Sequence, residues 1–289
     1  MLQQASLWLY MEDISVGYAL PHMPNTVSVG DIMTGRPGEA LPSELEDFIS
    51  AAEDGVMFVS FGSFIDLSAH LVVRKFCDAF VDRKNRLRVV WKTQHANPCA
   101  AGDDVDQRVK FMSALPPNDL LADPRIRIFI SHGGVNGIME SVYHAKPLVI
   151  FPIISDQFLN AAAAESKGFA IRMDIGDFTP DSLLSNVETL LTDPTYRRNA
   201  HLASAILRDR RDTAAQRVSA LIDHVIKYGD RHLRTGAFEL NTAQFFMFDV
   251  FAFLSAAAAV ALLVAVLACC CVYRTCRRRC CKQKKSKTS

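Results

Sequence analysis

The stretch Arg125-Ile126-Arg127-Ile128-Phe129-Ile130, followed at once by Ser131-His132-Gly133-Gly134-Val135-Asn136-Gly137, decides how this chain folds. The first six residues form a short, apolar, β-branched run, which suits a strand buried on both faces. The next seven turn through paired glycines into a helical pattern from Val135 to Ala145. Similar runs lie on either side: Val56 to Ser60, Leu87 to Trp91, Pro147 to Phe151 and Phe169 to Met173. Helical patterns separate or follow them at Leu67 to Val81, Gln157 to Lys167, Pro180 to Leu191 and Thr195 to Arg211. This alternation predicts an α/β fold, a Rossmann-like parallel sheet with helices on both faces. Asp31 to Ser43, rich in Pro and Gly, reads as a linker, and Gln94 to Gln107 as a surface loop.

The C-terminal part obeys a different rule. Val250 to Val272 is 23 residues without a charged side chain, and at about 1.5 Å per residue such a helix exceeds the roughly 30 Å of bilayer hydrocarbon. A single transmembrane helix is predicted there. All 31 acidic residues precede Arg274, whereas eight of the 32 basic residues follow from Arg274 onward. Positive charge is therefore concentrated in a tail and not on a folded face, which excludes a nucleic-acid-binding body. The same charge predicts a cytosolic tail and a body across the membrane, in type I topology. Met1 to Tyr10 lacks a signal-peptide pattern, so a tail anchor with a cytosolic body is the competing topology. Lys285 and Lys287 stand five and three places from the carboxyl end, the spacing of a KxKxx retrieval signal for the endoplasmic reticulum.

Six of the eight cysteines (Cys269, Cys270, Cys271, Cys276, Cys280 and Cys281) lie at the membrane exit or in the tail, leaving Cys77 and Cys99 in the body. That distribution predicts no disulfide framework. The juxtamembrane cysteines suit palmitoylation or simple apolar filling of the helix end. No metal site is expected among the tail cysteines, which have no histidine beside them and sit among strong positive charges.

In doubly wound sheets ligands bind at the carboxyl ends of the strands, so the strand-to-helix turns are the candidate sites. The first is Ser60-Phe61-Gly62-Ser63, where Gly62 admits a ligand close to backbone and Ser63 offers a hydroxyl. In the second, Gly133 and Gly134 lead into a helix whose free N–H groups attract an anion, and His132 adds a donor. Asn136 and Glu140, four apart, share a helix face, and a carboxylate there suits a ribose diol. The third turn, Pro152 to Gln157, sets Asp156 and Gln157 at a helix start, where an acid and an amide suit sugar hydroxyls. Neither glycine turn matches a dinucleotide or Walker A pattern.

Pro24-Asn25 to Gly30, Phe58 to Ser63, Pro116-Pro117-Asn118-Asp119-Leu120-Leu121, Ser131 to Gly137, Glu140, Tyr143-His144, Pro147, Pro152 and Asp156-Gln157 together resemble the C-terminal half of UDP-glucuronosyltransferases. The resemblance runs from about Ser6 through the basic tail. It implies the C-terminal half of a GT-B fold followed by the membrane helix. The implied organisation is the end of the acceptor-domain region and a linker over 1–43, a donor-binding domain over 44–235, a pre-membrane segment over 236–249, the transmembrane helix over 250–272 and the tail over 273–289. It also implies a UDP-sugar donor, with glucuronic acid as the expected sugar, no cofactor, and a small lipophilic acceptor glycosylated with inversion. Ser63 and His132, with the Gly133 and Gly134 backbone, would meet the pyrophosphate. Asn136 would lie alongside, Glu140 would hold the ribose, and Asp156 and Gln157 would hold the sugar. The implied location is the endoplasmic-reticulum membrane.

Two departures accompany the resemblance. The family's Trp-x-Pro-Gln segment, which stacks on and hydrogen-bonds uracil, reads Ala114-Leu115-Pro116-Pro117 here. Its catalytic histidine belongs to the N-terminal domain, and His22, His70, His95, His144, His201, His224 and His232 do not sit in a matching motif. No catalytic residue is therefore assigned in this chain. The alternative reading is a catalytically silent, membrane-anchored module that binds nucleotide-sugar weakly or forms oligomers with full-length relatives.

Overall fold

The computed structural model describes residues 5–30, 37–62, 72–94, 98–99 and 107–286, without the side chains of residue 276 and residues 278–286. Ser6–Asp230 forms one compact unit, and the residues from Arg231 onward belong to another.

The first unit opens with two short strands, β1 (Trp8–Tyr10) and β2 (Thr26–Ser28), paired in parallel. Then come α1 (Ser43–Ser50), β3 (Val56–Ser60), α2 (Val72–Val81), β4 (Arg88–Lys92), β5 (Val109–Met112), α3 (Pro117–Ala122) and β6 (Ile126–Ser131). The order continues with α4 (Val135–Tyr143), β7 (Leu148–Ile150), α5 (Gln157–Ser166), β8 (Ala170–Arg172), α6 (Pro180–Thr192), α7 (Pro194–Arg208) and α8 (Ala214–Tyr228). Strands β3 to β8 form a six-stranded sheet in the order β5-β4-β3-β6-β7-β8, and every neighbouring pair is parallel. The expected architecture is present. Strand order grows outward from β3 through β4 to β5, then reverses at β6. The β3/β6 boundary is thus the topological switch point, where such sheets bind ligands beyond the carboxyl ends of the strands.

Strand periodicity sends alternate side chains to opposite faces. Phe58, Val90 and Ile150 join the core beneath α1, α3, α4, α5 and α7, where Leu45, Leu120, Ile138, Ala161 and Ala200 meet them. Met57, Val59, Val89, Trp91, Ile128, Ile130 and Val149 join the opposite core with Phe76 and Phe80 of α2 and Leu183 and Val187 of α6. All five residues of β3 are buried, as a central strand covered on both faces requires. Helix starts are chemically marked. Thr179 accepts from the Ser182 N–H and Ser182 reciprocates to close a capping box on α6, with Pro180 in the first turn. Asp193 accepts from the Thr195 N–H at the start of α7.

Several elements lay outside the sequence pattern. The pair β1 and β2, the edge strand β5, and helices α1, α3 and α8 are not among the expected elements, although α1 (Leu45, Phe48, Ile49) and α8 (Val218, Leu221, Ile222, Val225) carry apolar residues at helical spacing. Ser43, at the end of the expected linker, begins α1, while residues 31–36 and most of the expected 94–107 loop lie outside the described residues.

The expectation that Cys77 and Cys99 stay unpaired is corrected: they form a disulfide. Helix α2 packs over β4, with Phe80 against Trp91 at 5.5 Å between ring centroids. Residue 99, in the segment after β4, thereby comes beside Cys77, a proximity that 22 positions of sequence do not express.

In the second unit, α9 (Thr242–Phe245) precedes α10 (Phe248–Ser286). The Phe248–Thr275 part of α10 is long and apolar enough to cross a membrane. Side chains along it that would be core in a soluble protein, such as Phe253, Leu262 and Val266, are exposed.

Candidate functional site

At the switch point the two central strands end alike. Ser60 of β3 and Ser131 of β6 are register partners. The Ser60 Oγ accepts from the Gly62 N–H at 3.3 Å, and the Ser131 Oγ from the Gly133 N–H at 3.2 Å. Each hydroxyl closes a tight turn over its strand end. Gly62 (φ 79°) and Gly133 (φ 88°) adopt the left-handed backbone these turns need.

The His132 imidazole lies between the two turns. A Cβ on Gly62 would stand 3.0 Å from ring atoms Cε1 and Nε2, and one on Gly134 only 2.5 Å from Nε2. The glycines therefore leave the space that the ring fills. A Cβ on Gly133 would lie 2.9 Å from Ile150 Cγ2 and 3.2 Å from the Gln157 carbonyl, so this glycine lets the start of α5 close onto the turn.

Burial lowers the His132 pKa and outweighs the Ser60 backbone and the Asp156 carboxylate, both of which favour the charged ring. The ring is thus neutral at neutral pH. Its Nδ1 is buried and makes no hydrogen bond of ordinary geometry. Gly134 is the N-cap of α4 and has no side chain to satisfy the first-turn amides, which leaves N–H groups directed at the space beside His132.

Farther along α4, Asn136 is exposed and Glu140 half-buried, four positions apart on one face. Asp156 is exposed at the N-cap of α5 but does not cap it. Its Oδ2 instead accepts from Asn160 Nδ2 at 2.8 Å, and the same nitrogen donates to the Gly133 carbonyl at 3.0 Å. Asn160 thus fastens Asp156 to the His-Gly-Gly turn. Sequence reasoning missed it, although its place one helical turn after Asp156 is a usable signal. Ser155, just before Asp156, holds a φ of 56°, a conformation strained for a residue with a side chain. Gln157 is buried, and its Oε1 accepts from the N–H groups of Ile153 and Ile154 at 2.9 and 3.0 Å. Its side-chain oxygen is committed to the loop before it. Ser63 lies outside the described residues.

Segment 114–117 follows β5 and leads into α3. Ala114 is exposed, and Pro117 occupies the first turn of α3. Trp91 does not supply a missing stacking ring: it is 3% exposed and packed in the core against Phe76, Phe80 and Phe111. Asn118 accepts a hydrogen bond at 2.9 Å from His144, the C-cap of α4, which ties this segment to the helix that begins at the glycines. Burial, helped by the positive charges of Lys146 and Arg208, lowers the His144 pKa to about 4. Among the described residues no cluster of three His, Cys, Asp or Glu side chains is arranged to hold a metal ion.

The family profile described as UDP-glucoronosyl and UDP-glucosyl transferase matches residues 1–286. The chain belongs to this family. It is 34% identical over 259 residues to UDP-glucuronosyltransferase 3A1 of Bos taurus, covering 88% of this chain and 48% of that protein. It is also 31% identical over 250 residues to 2-hydroxyacylsphingosine 1-beta-galactosyltransferase of Mus musculus, covering 85% of this chain and 44% of the relative. The chain therefore spans about half the length of the curated relatives it matches. Among solved structures, the glycotransferase of kitacinnamycin aligns with a TM-score of 0.57 at 24% identity, over 69% of this chain and 49% of that one. The glycosyltransferase VinC in complex with DTDP aligns with a TM-score of 0.52 at 20% identity, over 66% of this chain and 45% of VinC. These likenesses establish the fold: the described sheet is the Rossmann-like half of a GT-B architecture.

Proposed function

We propose that this chain is the donor-binding half of a glycosyltransferase, taking a UDP-sugar and no cofactor. The observation that carries the reading is His132, seated between Gly62 and Gly134 beside the uncapped start of α4, at the one point where strand order reverses. Pyrophosphate suits that place, because oriented amides and a neutral imidazole N–H stabilise an anion without a metal. Glu140 accepts from the ribose hydroxyls, Asn136 lies alongside, and Ser63 adds a donor to the phosphates. Asp156, oriented by Asn160, holds sugar hydroxyls, and Gln157 approaches them through its amide nitrogen. In the transfer an acceptor hydroxyl oxygen attacks the anomeric carbon from the face opposite the pyrophosphate and gives up its proton to the base that the family carries in its N-terminal domain, while the departing bond leaves its electron pair on a phosphate oxygen. Charge grows there as the bond breaks, so the same donors bind the transition state more tightly than the substrate.

Glucuronic acid is the proposed sugar and a small lipophilic molecule the acceptor. The galactosyltransferase relative keeps a neutral hexose as the comparison sugar. Residues 44–235 form the donor domain in this reading. Residues 236–249 lead to the span 250–272, and residues 273–289 form a cytosolic tail. The Cys77–Cys99 disulfide supports a body in an oxidising lumen, and the endoplasmic-reticulum membrane is the proposed location.

Titration calorimetry of UDP against the detergent-solubilised chain tests the site. His132→Ala and Glu140→Ala should each weaken binding about 10- to 150-fold, the loss expected for a hydrogen bond involving a charged partner. Unchanged affinity in both variants, with the fold intact, removes the assignment.

A second reading, a silent module that binds nucleotide-sugar weakly or pairs with full-length relatives, is favoured by Ala114 and Pro117. With Trp91 inside the core, these residues leave uracil without the family's stacking ring and amide.

A further inference from the structure

Cys269, Cys270 and Cys271 are free and exposed on α10. Their place on the span is set by the charges at its ends. Val250 to Tyr273 carries no charged side chain, Asp249 stands before it and Arg274 after it. A hydrocarbon core of about 30 Å takes up roughly 20 helical residues, so a span that begins after Asp249 reaches the opposite interface at the three cysteines. The helix does not break there. Thr275 Oγ1 donates to the Cys271 carbonyl at 2.8 Å, and α10 continues to Ser286. Successive residues turn by about 100°, so the three thiols sweep about 200° of the helix surface. At least one faces lipid whichever side of the helix packs on another protein.

We propose that Cys269–Cys271 is an S-acylation site that takes a long-chain fatty acyl group from acyl-coenzyme A on the cytosolic side of the membrane. The inference rests on the reading of α10 as a membrane span with a cytosolic tail. Arg274 and Arg277, within two turns, draw the anionic phosphates of the acyl donor to the same interface. A cysteine sulfur attacks the carbonyl carbon of the donor thioester. A new sulfur–carbon bond forms, the bond from that carbon to the coenzyme A sulfur breaks, and coenzyme A leaves as the thiol, carrying the proton the cysteine gives up. The acyl chain inserts beside the end of the span, where the surroundings are already apolar, and pins the juxtamembrane turn to the interface.

The test is acyl exchange on the full chain expressed in mammalian cells. Disulfides are reduced, free thiols are blocked, thioesters are cleaved with neutral hydroxylamine, and the released thiols are tagged with a polyethylene-glycol maleimide. A hydroxylamine-dependent mass shift is expected. It should vanish in the triple variant C269S/C270S/C271S and persist in C276S/C280S/C281S. Alkaline carbonate extraction runs in parallel. A chain that stays in the membrane pellet but shows no shift overturns the acylation while leaving the span intact, as does a shift that survives C269S/C270S/C271S. Release of the chain into the carbonate supernatant removes the span and the acylation together.

Discussion

At the scale of single residues the candidate site depends on the Cβ atoms that Gly62 and Gly134 lack beside His132. Gly134 has an ordinary helix-entry backbone (φ −63°), so alanine there meets no conformational objection, yet its Cβ would stand 2.5 Å from His132 Nε2. Gly134→Ala should therefore cost about 1–3 kcal/mol of stability, as overpacking does, and lower UDP affinity by displacing the ring. Because the clash is with that ring, Gly134→Ala combined with His132→Ala should lose less stability than the two changes summed. Thermal melts of the four proteins give the coupling, and strict additivity would place the strain elsewhere. His144 makes a second residue-scale prediction. Its pKa falls from the ordinary 6.5 to about 4, so on acidification the unfolded chain takes up its proton first. Stability tied to the neutral ring is complete above about pH 6.5 and is lost as the pH falls toward 4, and His132, also lowered, acts with the same sign. His144→Gln keeps a donor for Asn118 without titrating. Its melting temperature should decline less than the wild-type value between pH 6.5 and 4.5, and parallel declines would sink the assignment.

At the scale of elements, the turn from β5 into α3 carries Ala114-Leu115-Pro116-Pro117 where the family resemblance expects Trp-x-Pro-Gln. Ala114 is exposed, so a larger side chain there needs no repacking, and Pro117 sits in the first helical turn, where a missing N–H costs little. Ala114→Trp with Pro117→Gln should restore a stacking face and an amide. Stacking on a base contributes about 1–3 kcal/mol, so UDP should bind about 5- to 150-fold more tightly. Calorimetry on the double variant decides this, and unchanged binding would mean that segment 114–117 does not face the base. How well each element could be read follows from how it is stabilised. Strands β3 and β6 announce themselves because burial on both faces favours apolar runs, interrupted in β6 by the exposed Arg127. Strand β5, Val109-Lys110-Phe111-Met112, lies at the sheet edge with most of its residues only half-buried, so its pattern is diluted. Helix α8 carries apolar residues at helical spacing (Val218, Leu221, Ile222 and Val225), yet none of its residues is buried, so what that stripe packs against is not written in the local pattern.

At the scale of the whole molecule, the disulfide and the proposed topology are each open to measurement. Replacing Cys77 and Cys99 with Ser opens a loop with a sequence separation of 22, for which chain entropy gives a loss of roughly 3 kcal/mol. Membrane placement has its own measurement. Arg211 is exposed between α7 and α8, and Arg211→Asn creates the glycosylation sequence Asn-Asp-Thr with Asp212 and Thr213. Glycosylation sensitive to endoglycosidase H is expected if the body is lumenal and retained. An unglycosylated chain that resists carbonate extraction would mean a cytosolic body. Lys285→Ser with Lys287→Ser should then release the glycosylated protein to the cell surface, and unchanged reticular staining would remove the retrieval signal alone.

The sequence by itself determined the alternation of strands and helices, the apolar span and the three strand-to-helix turns, because periodicity, charge and glycine placement are local and each acts within a few residues of chain. The Asp156-Gln157 pair was legible only as residue types. Tertiary structure decided that the oxygen of Gln157 faces its own loop, that Asn160 carries Asp156 to Gly133, and that Trp91 is a core residue and not a platform for a base. It also decided the order β5-β4-β3-β6-β7-β8, which brings Gly62 beside His132 across 70 positions, and the pairing of Cys77 with Cys99. Contacts of this kind arise from which elements share a face of the sheet. Packing two cores against one sheet fixes them, and no local pattern along the chain encodes that choice.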